Sequence, residues 1–514
     1  MPTNLVRHAP AIFAACLAFA APALAQKAYG PGVTDTEIKL GQSTPLSGPA
    51  SAFGAGAGRA VLGYFQMVND SGGVNGRKIA FTQLDNAYNA PKAVEQSRKL
   101  VEEIGVLAEV GTIGTAPNVA IQKYLNSKQV PQLFITAGGR RFNDPKNFPW
   151  TVPLYPDFET EGAVVAKYIL KNRPDAKIGV LFQNDDYGKD YVRGLKTGLG
   201  ARASQIVIEA SYELTDPTID SQILKLKAAG IDTLIEQSAA KTAAQSIRKV
   251  FELGWKPLHI IGGSTASVET VLRPAGLEAS KGLISTQFLK QPGDPAWAND
   301  AEVKAYKEFL AKYAPSVHAD DYSVLVAYVN VNALGLLLKQ AGDNLTRENL
   351  IKVATSMAGQ HLPLMLPGVA LGFKPDDYTP YRTLRMAEFD GVSWNIIGDP
   401  LIAVVDAQTR SSLATLEFLG HKAIMNQDST LRNADFKYQK HSERGGRTVV
   451  QDCSLSVPVL TLVPIPFLRI AEVNINFKAK LTSTQSFTSE DTTNASVDVR
   501  RETEESSGGG IRSW

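Results

Sequence analysis

Between Glu37 and about Gly263 the chain alternates short β-rich runs with stretches of helical spacing, in two successive rounds. In the first, EIKLGQST, KIAFTQLD, VLAEVG and PQLFIT read as strands, with helices expected near 57–69, 91–104 and 117–127. After Trp150 the cycle restarts with a helix over 159–171. KIGVLFQN, QIVIEASYE, DTLIEQS and PLHIIGG follow, separated by helices over 187–199, 219–229 and 240–253. Apolar strands with helices between them imply parallel sheets covered on both faces. Two rounds therefore predict two α/β lobes.

Ligands of such open sheets bind beyond the carboxyl ends of the strands, where loops lead into helix N-termini. The loops expected there are STPLSGPASAFGAGAG after the first strand, GTIGTAPN after the third and ITAGGR after the fourth. Their Gly, Ser and Thr content lets a backbone come close and present N–H donors. Glycine also marks ordinary turns, but three such loops on one edge favour a binding role.

The compartment follows from the N-terminus. Arg7 and His8 precede an apolar run over 9–24, and Ala23-Leu24-Ala25 offers small residues where a signal peptidase cuts. A leader removed near Ala25 and a periplasmic product are expected. A membrane anchor would need ~20 apolar residues, and this run is shorter and broken by Pro22. Removal takes Cys16 and leaves Cys453 as the sole cysteine, so stability must come from cores rather than an intrachain disulfide. No later stretch reads as long and apolar enough to span a bilayer. A formal charge of +2 over 514 residues gives no reason to expect nucleic acid or anionic membrane as a partner.

The same loops recur beside FPWTVPLYPDFETEG, LFQNDDYGKDYVRGLK, SYELTDPTIDSQILKLKAAGID, AAQSIRKVFELGWKPLHIIG and LTRENLIK. Over about 28–398 the chain thereby resembles the type I periplasmic solute-binding proteins of the branched-chain amino acid transport class, which deliver ligand to an ABC transporter. The resemblance implies two flavodoxin-like lobes, a hinge of three crossovers, a small-molecule ligand clasped in the cleft and no chemistry on it. It places the crossovers near 150–153, near Ser280 and near 362–366. Lobe one would be 27–152 plus 281–362, and lobe two 153–280 plus 363–400. Closure on ligand would create the form that docks on the membrane permease.

Carried over residue by residue, the resemblance puts the hydroxyl that bonds a ligand carboxylate at Thr115, the Ala116 N–H beside it, and the lid tyrosine of the second lobe at Tyr187. Each has an ordinary alternative, since Thr115 and Asn118 could cap the helix near Pro117 and Tyr187 could be a helix-start aromatic. Ser47, Phe53, Gly138, Arg140, Tyr155 and Ser264 complete the expected ligand-binding set. Two positions depart from the amino-acid-binding pattern. Where that pattern has Ser or Thr after the fourth strand, this chain runs Ala137-Gly138-Gly139-Arg140-Arg141; in place of the glutamate that holds an ammonium it runs Gly262-Gly263-Ser264-Thr265. A buried amine without acceptors is costly, which argues against an α-amino acid. Arg140, if aimed into the cleft, would offer a planar fork to a carboxylate. With Phe53, Tyr155, Phe158 and Tyr187 this suggests a small organic or aromatic acid. The competing reading makes Arg140 and Arg141 a solvated pair at the cleft mouth.

Enzymatic readings fit poorly. Gly54-Ala55-Gly56-Ala57-Gly58 is G-x-G-x-G and not the dinucleotide fingerprint, and PLSGPASAF intervenes after the strand. Gly262-Gly263-Ser264-Thr265-Ala266 lacks the last glycine of a nucleophile elbow. His259, His318, His361, His421 and His441 stand at no metal-ligand spacing with one another or with a cysteine. Asp185-Asp186 reads as a loop or capping pair. No cofactor or metal is expected.

From about Asp399 the pattern changes. PLIAVVDAQTRSSLATLEFLG has helical spacing, ADFKYQKHSERGGRTVVQDCSLSV reads as a hairpin turning at Gly445-Gly446, and EVNINFKAKL alternates apolar and polar residues. This predicts a small α+β unit over 401–481. With DAQ…LATLEF and VPVLTLVPIPFLRIAEVNINF it resembles, over 399–485, a small family of uncharacterised bacterial domains without known activity. Strand-rich pieces with apolar faces suggest self-association through this unit. The stretch 482–514, rich in Ser, Thr, Glu and Asp, is expected to be disordered. The reading is an exported solute receptor feeding an ABC importer; its alternative is a ligandless clamp serving as a scaffold for the tail.

Overall fold

The computed structural model describes residues 27–402 and, beyond them, the segments 433–444, 447–458 and 484–485. Residues 27–402 belong to one compact unit and the later described segments to a second. The leader, the remainder of the expected helical stretch after Ile402 and the EVNINFKAKL run lie outside the described residues.

After β1 (Ala28–Tyr29), strands β2 (Glu37–Thr44), β3 (Lys78–Asp85), β4 (Ala108–Val110), β5 (Gln132–Ile135) and β6 (Thr151–Pro153) follow. These last five form a parallel sheet in the order β3-β2-β4-β5-β6. The second round supplies β7 (Ile178–Gln183), β8 (Ile206–Tyr212), β9 (Thr233–Gln237), β10 (Leu258–Ile261) and β11 (Ile284–Gln287). After β12 (Asn344–Leu345), which pairs with β1, come β13 (Thr383–Phe389) and β14 (Trp394–Ile402). The second sheet runs β14-β13-β11-β10-β9-β7-β8, its last two strands in sequence being antiparallel additions. In each lobe the first strand lies inside, with the second on one side and the third on the other. The winding therefore reverses beside β2 and beside β7, which is where open α/β sheets form a crevice.

The helix Ser51–Asp70 begins inside the stretch expected to be a glycine-rich loop. A Cβ on Gly54 would lie 2.1 Å from the Pro45 carbonyl oxygen, and one on Gly63 would lie 2.5 Å from that of Tyr313. Those glycines serve close helix packing. Asn89, Asp157 and Asp185 accept hydrogen bonds from the first turns of Ala90–Arg98, Phe158–Asn172 and Asp186–Leu199. The helix expected to run to 104 widens into a π turn over Lys99–Ile104 and stops at left-handed Gly105.

One later helix, Tyr322–Ala341, is long and apolar enough to cross a membrane by length and composition, contrary to the sequence expectation. Most of it is buried, and it packs on Ser51–Asp70 as a core element of the first lobe. The second lobe's core gathers Ile247, Val271, Leu272, Phe389 and Trp394, with the Trp394 indole N–H donating to the Ala266 carbonyl at 2.7 Å.

The chain leaves the first sheet after β6. It returns only after β11, because Ile284 and Ser285 pair with β10 and β13. The second crossover therefore follows Gln287, a correction to the position near Ser280. The third runs alongside it: Leu366 N–H donates to Phe288 O and Lys290 N–H to Leu364 O. Leu401 and Ile402 pair with Leu384 and Thr383, so the start of the expected helical stretch is strand. In the second unit β15 (Asn433–Arg444) and β16 (Arg447–Pro458) form the hairpin, in register from Asn433↔Pro458 to Arg444↔Arg447. Thr484–Gln485 (β17) pair with Asp452 and Gln451, so the expectation of disorder from Thr482 fails at these two residues.

Candidate functional site

Loops from the carboxyl ends of both sheets converge on one cavity of about 650 Å³, counting its open mouth. The first lobe contributes Ala50 and Phe53 after β2, Tyr88 after β3, Ile113, Gly114 and Thr115 after β4, and Thr136 and Ala137 after β5, with Tyr322, Ser323 and Val326 from the core helix. The second contributes Gln183, Leu214, Ala239 and Ser264 after β7 to β10, with Tyr155, Phe158 and Tyr187. Six aromatic rings thus face the space, and among the described residues no Asp, Glu, Lys, Arg or His lines it.

The loop after β4 is fixed from below. The Asn118 amide donates to the carbonyls of Thr112 at 2.9 Å and Gly114 at 2.8 Å. Gly114, at φ +98°, precedes the helix Thr115–Ser127 and neither it nor Thr115 makes a side-chain cap. Thr115 is buried against the cavity.

Across the cleft, the Tyr187 hydroxyl donates to the Ser238 carbonyl at 2.8 Å and lies 2.7 Å from Ser264 Oγ. With the tyrosine proton so used, Ser264 is the donor between the two hydroxyls. The Tyr187 ring stands edge-on to Phe158 at 4.9 Å, and Phe158 lies 6.0 Å from Tyr155. Burial raises the Tyr187 pKa well above its usual value and keeps the group neutral. Beneath Ser264, Glu161 Oε1 accepts the Gly263 N–H at 2.6 Å and the Thr286 hydroxyl at 2.5 Å. Burial raises its pKa, against those two donors.

Of the sequence candidates, Phe53, Thr115, Tyr155, Tyr187 and Ser264 line the cavity, while Ser47, Ala116, Gly138 and Arg140 do not. Ser47 Oγ donates to Asp85 Oδ2 at 2.6 Å. Gly138 accepts the Phe158 N–H at 2.8 Å, and a Cβ there would meet the Pro156 oxygen at 2.0 Å. The Arg140 N–H donates to Asp190 Oδ2 at 2.7 Å, and its guanidinium stands 3.6 Å from Asp157 and 4.0 Å from Glu159. The fork expected to meet a ligand carboxylate is therefore turned to acids of the second lobe. Sequence reasoning missed Tyr88, Gln183 and Tyr322. Tyr88 follows a strand whose loop is not glycine-rich, and its placement depends on left-handed backbone at Ala87 (φ +51°) and Tyr88 (φ +57°).

Residues 37–393 match the family model described as "Periplasmic binding protein", and residues 394–509 match "Protein of unknown function (DUF2589)". The "Leu/Ile/Val-binding protein homolog 7" of Brucella suis is 26% identical over 316 residues, covering 60% of this chain and 76% of the relative. Among solved structures, a branched chain amino acid ABC transporter protein from Thermus thermophilus with bound valine is similar at a TM-score of 0.64 and 18% identity, covering 72% of this chain and 97% of that one. A fatty acid ABC transporter substrate-binding protein from Thermomonospora curvata is similar at 0.59 and 23%, covering 73% and 95%. With two 2-1-3-4-5 lobes facing one cleft, the chain belongs to the periplasmic binding protein family over residues 37–393.

Proposed function

We propose that this protein is an extracytoplasmic receptor of an ABC importer that closes on a small solute with an apolar or aromatic body and neutral polar groups, and presents it to the membrane permease. The observation that carries this reading is the lining of the cavity, with six rings and only neutral polar side chains from Thr115, Thr136, Gln183, Ser264 and Ser323. A zwitterion or dianion would lose its hydration there without an opposite charge in contact. The relatives named above are described as handling leucine, isoleucine or valine, valine, and fatty acid respectively, so apolar bodies recur among them. Export by the leader and a periplasmic site of action belong to the same reading. The acid part of the sequence expectation loses its anchor with Arg140, and the aromatic part keeps Phe53, Tyr155, Phe158 and Tyr187.

The test is a thermal-shift panel on the mature chain, intact and cut after Ile402. It would contain aromatic amides and alcohols, aromatic acids, medium-chain fatty acids and branched-chain amino acids. A ligand at about 100 times its Kd adds ~2.7 kcal/mol. A neutral aromatic or amphipathic compound is expected to raise the transition in both forms. Stabilisation by leucine alone would overturn the ligand class while leaving the fold intact.

A further inference from the structure

We infer that Tyr88 sets the specificity of this cleft, its side chain standing before the first N–H groups of the helix Thr115–Ser127 and denying them to a ligand carboxylate. The inference deepens the receptor reading above and rests on it for the meaning of the cavity.

Three observations converge. First, Tyr88 lines the cavity, and its ring lies against Gly114, the residue before the helix. A Cβ on Gly114 would fall 2.2 Å from Tyr88 Cε2 and 3.0 Å from Cδ2, so only glycine lets the ring settle there. Second, the first N–H groups of a helix have no carbonyl partner within it. Here Thr115 and Ala116 carry them, since Pro117 has none; burial raises the pKa of the Tyr88 phenol, and these two N–H groups and the Gln183 amide of the other lobe oppose that rise. The ring packed on Gly114, lining the cavity beside Thr115, thus stands between an incoming anion and these donors. Third, the loop carrying Tyr88 is strained in order to aim it. Ala87 and Tyr88 are consecutive non-glycine residues at φ +51° and +57°, a conformation that costs of order 1 kcal/mol or more each and persists only where the surroundings impose it.

The surroundings do impose it. Asp85 Oδ1 accepts the Ala87 N–H at 2.9 Å, and Asn86 Oδ1 accepts the Tyr88 N–H at 2.9 Å. Asp85 is itself held by Ser47 Oγ and by Lys92 at 3.0 Å. Ser47 thereby acts through Asp85 as a positioning residue for Tyr88. What remains open to a ligand are neutral groups, which suit an alcohol, amide, ketone or phenol on an apolar body.

The experiment uses the full mature chain with 15N at alanine and threonine, as wild type, Tyr88→Phe and Tyr88→Ala, with propionate and benzoate as probes. In Tyr88→Phe the Thr115 and Ala116 amide-proton resonances are expected to move upfield more than those of other labelled residues. In Tyr88→Ala benzoate or propionate is expected to bind roughly tenfold or more tighter than to wild type, the worth of a recovered charge-assisted bond. Equal carboxylate affinity in wild type and Tyr88→Ala, or unmoved Thr115 and Ala116 resonances in Tyr88→Phe, would overturn the inference. The resonance measurement needs no ligand and a folded Tyr88→Phe protein only. It therefore decides the question even if Tyr88→Ala misfolds or no solute stabilises the wild type, the latter being the failure of the receptor reading.

Discussion

The hydroxyl of Tyr187 donates to the Ser238 carbonyl at 2.8 Å and stands 2.7 Å from Ser264 Oγ, tying the loops after β7, β9 and β10 into one wall of the cleft. Ser238 is fully buried, so its carbonyl has little access to water once the phenol is gone. Tyr187→Phe is therefore expected to lower stability by about 1–2 kcal/mol, the cost of leaving a buried acceptor unpaired. Urea unfolding followed by tryptophan fluorescence measures it. A loss below ~0.5 kcal/mol would mean that the phenol does not hold these loops together.

Glu109 on β4 lies under the loop that presents Thr115, and its effect is on pH dependence. Its carboxyl is fully buried, with Oε1 accepting from Ser97 Oγ at 3.0 Å and Thr112 Oγ1 at 3.3 Å. Burial pushes its pKa up to about 7, against the help of those donors. A raised folded pKa means that the native state holds the proton more tightly than the unfolded chain. The stabilisation is complete below the unfolded carboxylate pKa and is lost as pH rises through about 7. Glu109→Gln removes this titration, so its stability should stay flat where the wild type loses up to ~3 kcal/mol between mildly acidic and mildly alkaline pH. Parallel slopes for the two proteins would show that Glu109 does not titrate in that window.

Arg140 shows how far a sequence can mislead about a site. Its place in the loop after the fourth strand was legible, but its direction depends on Asp157 and Glu159, which the other lobe brings to 3.6 and 4.0 Å. Arg140→Ala is expected to change solute affinity by less than ~1 kcal/mol, below the usual worth of a charge-assisted bond. Titration calorimetry with whichever compound stabilises the wild type would show it. A larger loss would return the guanidinium to the cleft.

Between Glu37 and Ile261 the strands other than β6, and the main helices, were readable because period and composition are local properties. Alternating rounds of VLFQ-like runs and amphipathic stretches specify parallel sheets before any contact is known. What the sequence hid was decided by partners distant along the chain. Gly54 looks like loop composition until the Pro45 carbonyl is seen 2.1 Å from where its Cβ would be. The assignment of Ile284–Gln287 to the second lobe rests on pairing with Ile260–Ile261 and, about a hundred residues later in a strand of opposite direction, with Arg385–Glu388. Tyr88 carries no motif, and only the left-handed turn at Ala87 and Tyr88 brings it over Gly114.

The hinge yields the last prediction. Asn143, in the segment before the first crossover, donates to Asp377 Oδ1 at 2.8 Å and Thr379 Oγ1 at 2.6 Å, and accepts the Tyr378 N–H at 2.6 Å. Asp377 is also paired with Arg382 at 2.7 Å. One amide thus pins the segment leading to the first crossover to the segment leading from the third crossover into β13. These bonds are partly buried and one is made to a carboxylate, so Asn143→Ala should cost about 2 kcal/mol in stability. Because they hold two chain segments flanking the hinge, the substitution should also relax lobe closure, raising the radius of gyration of the solute-free protein. A stabilising solute should then restore the wild-type value, since it favours the closed form by its differential affinity. Small-angle scattering with and without solute reads both effects. Loss of stability with unchanged dimensions would assign Asn143 to local structure alone, and no change in either would remove it from the hinge.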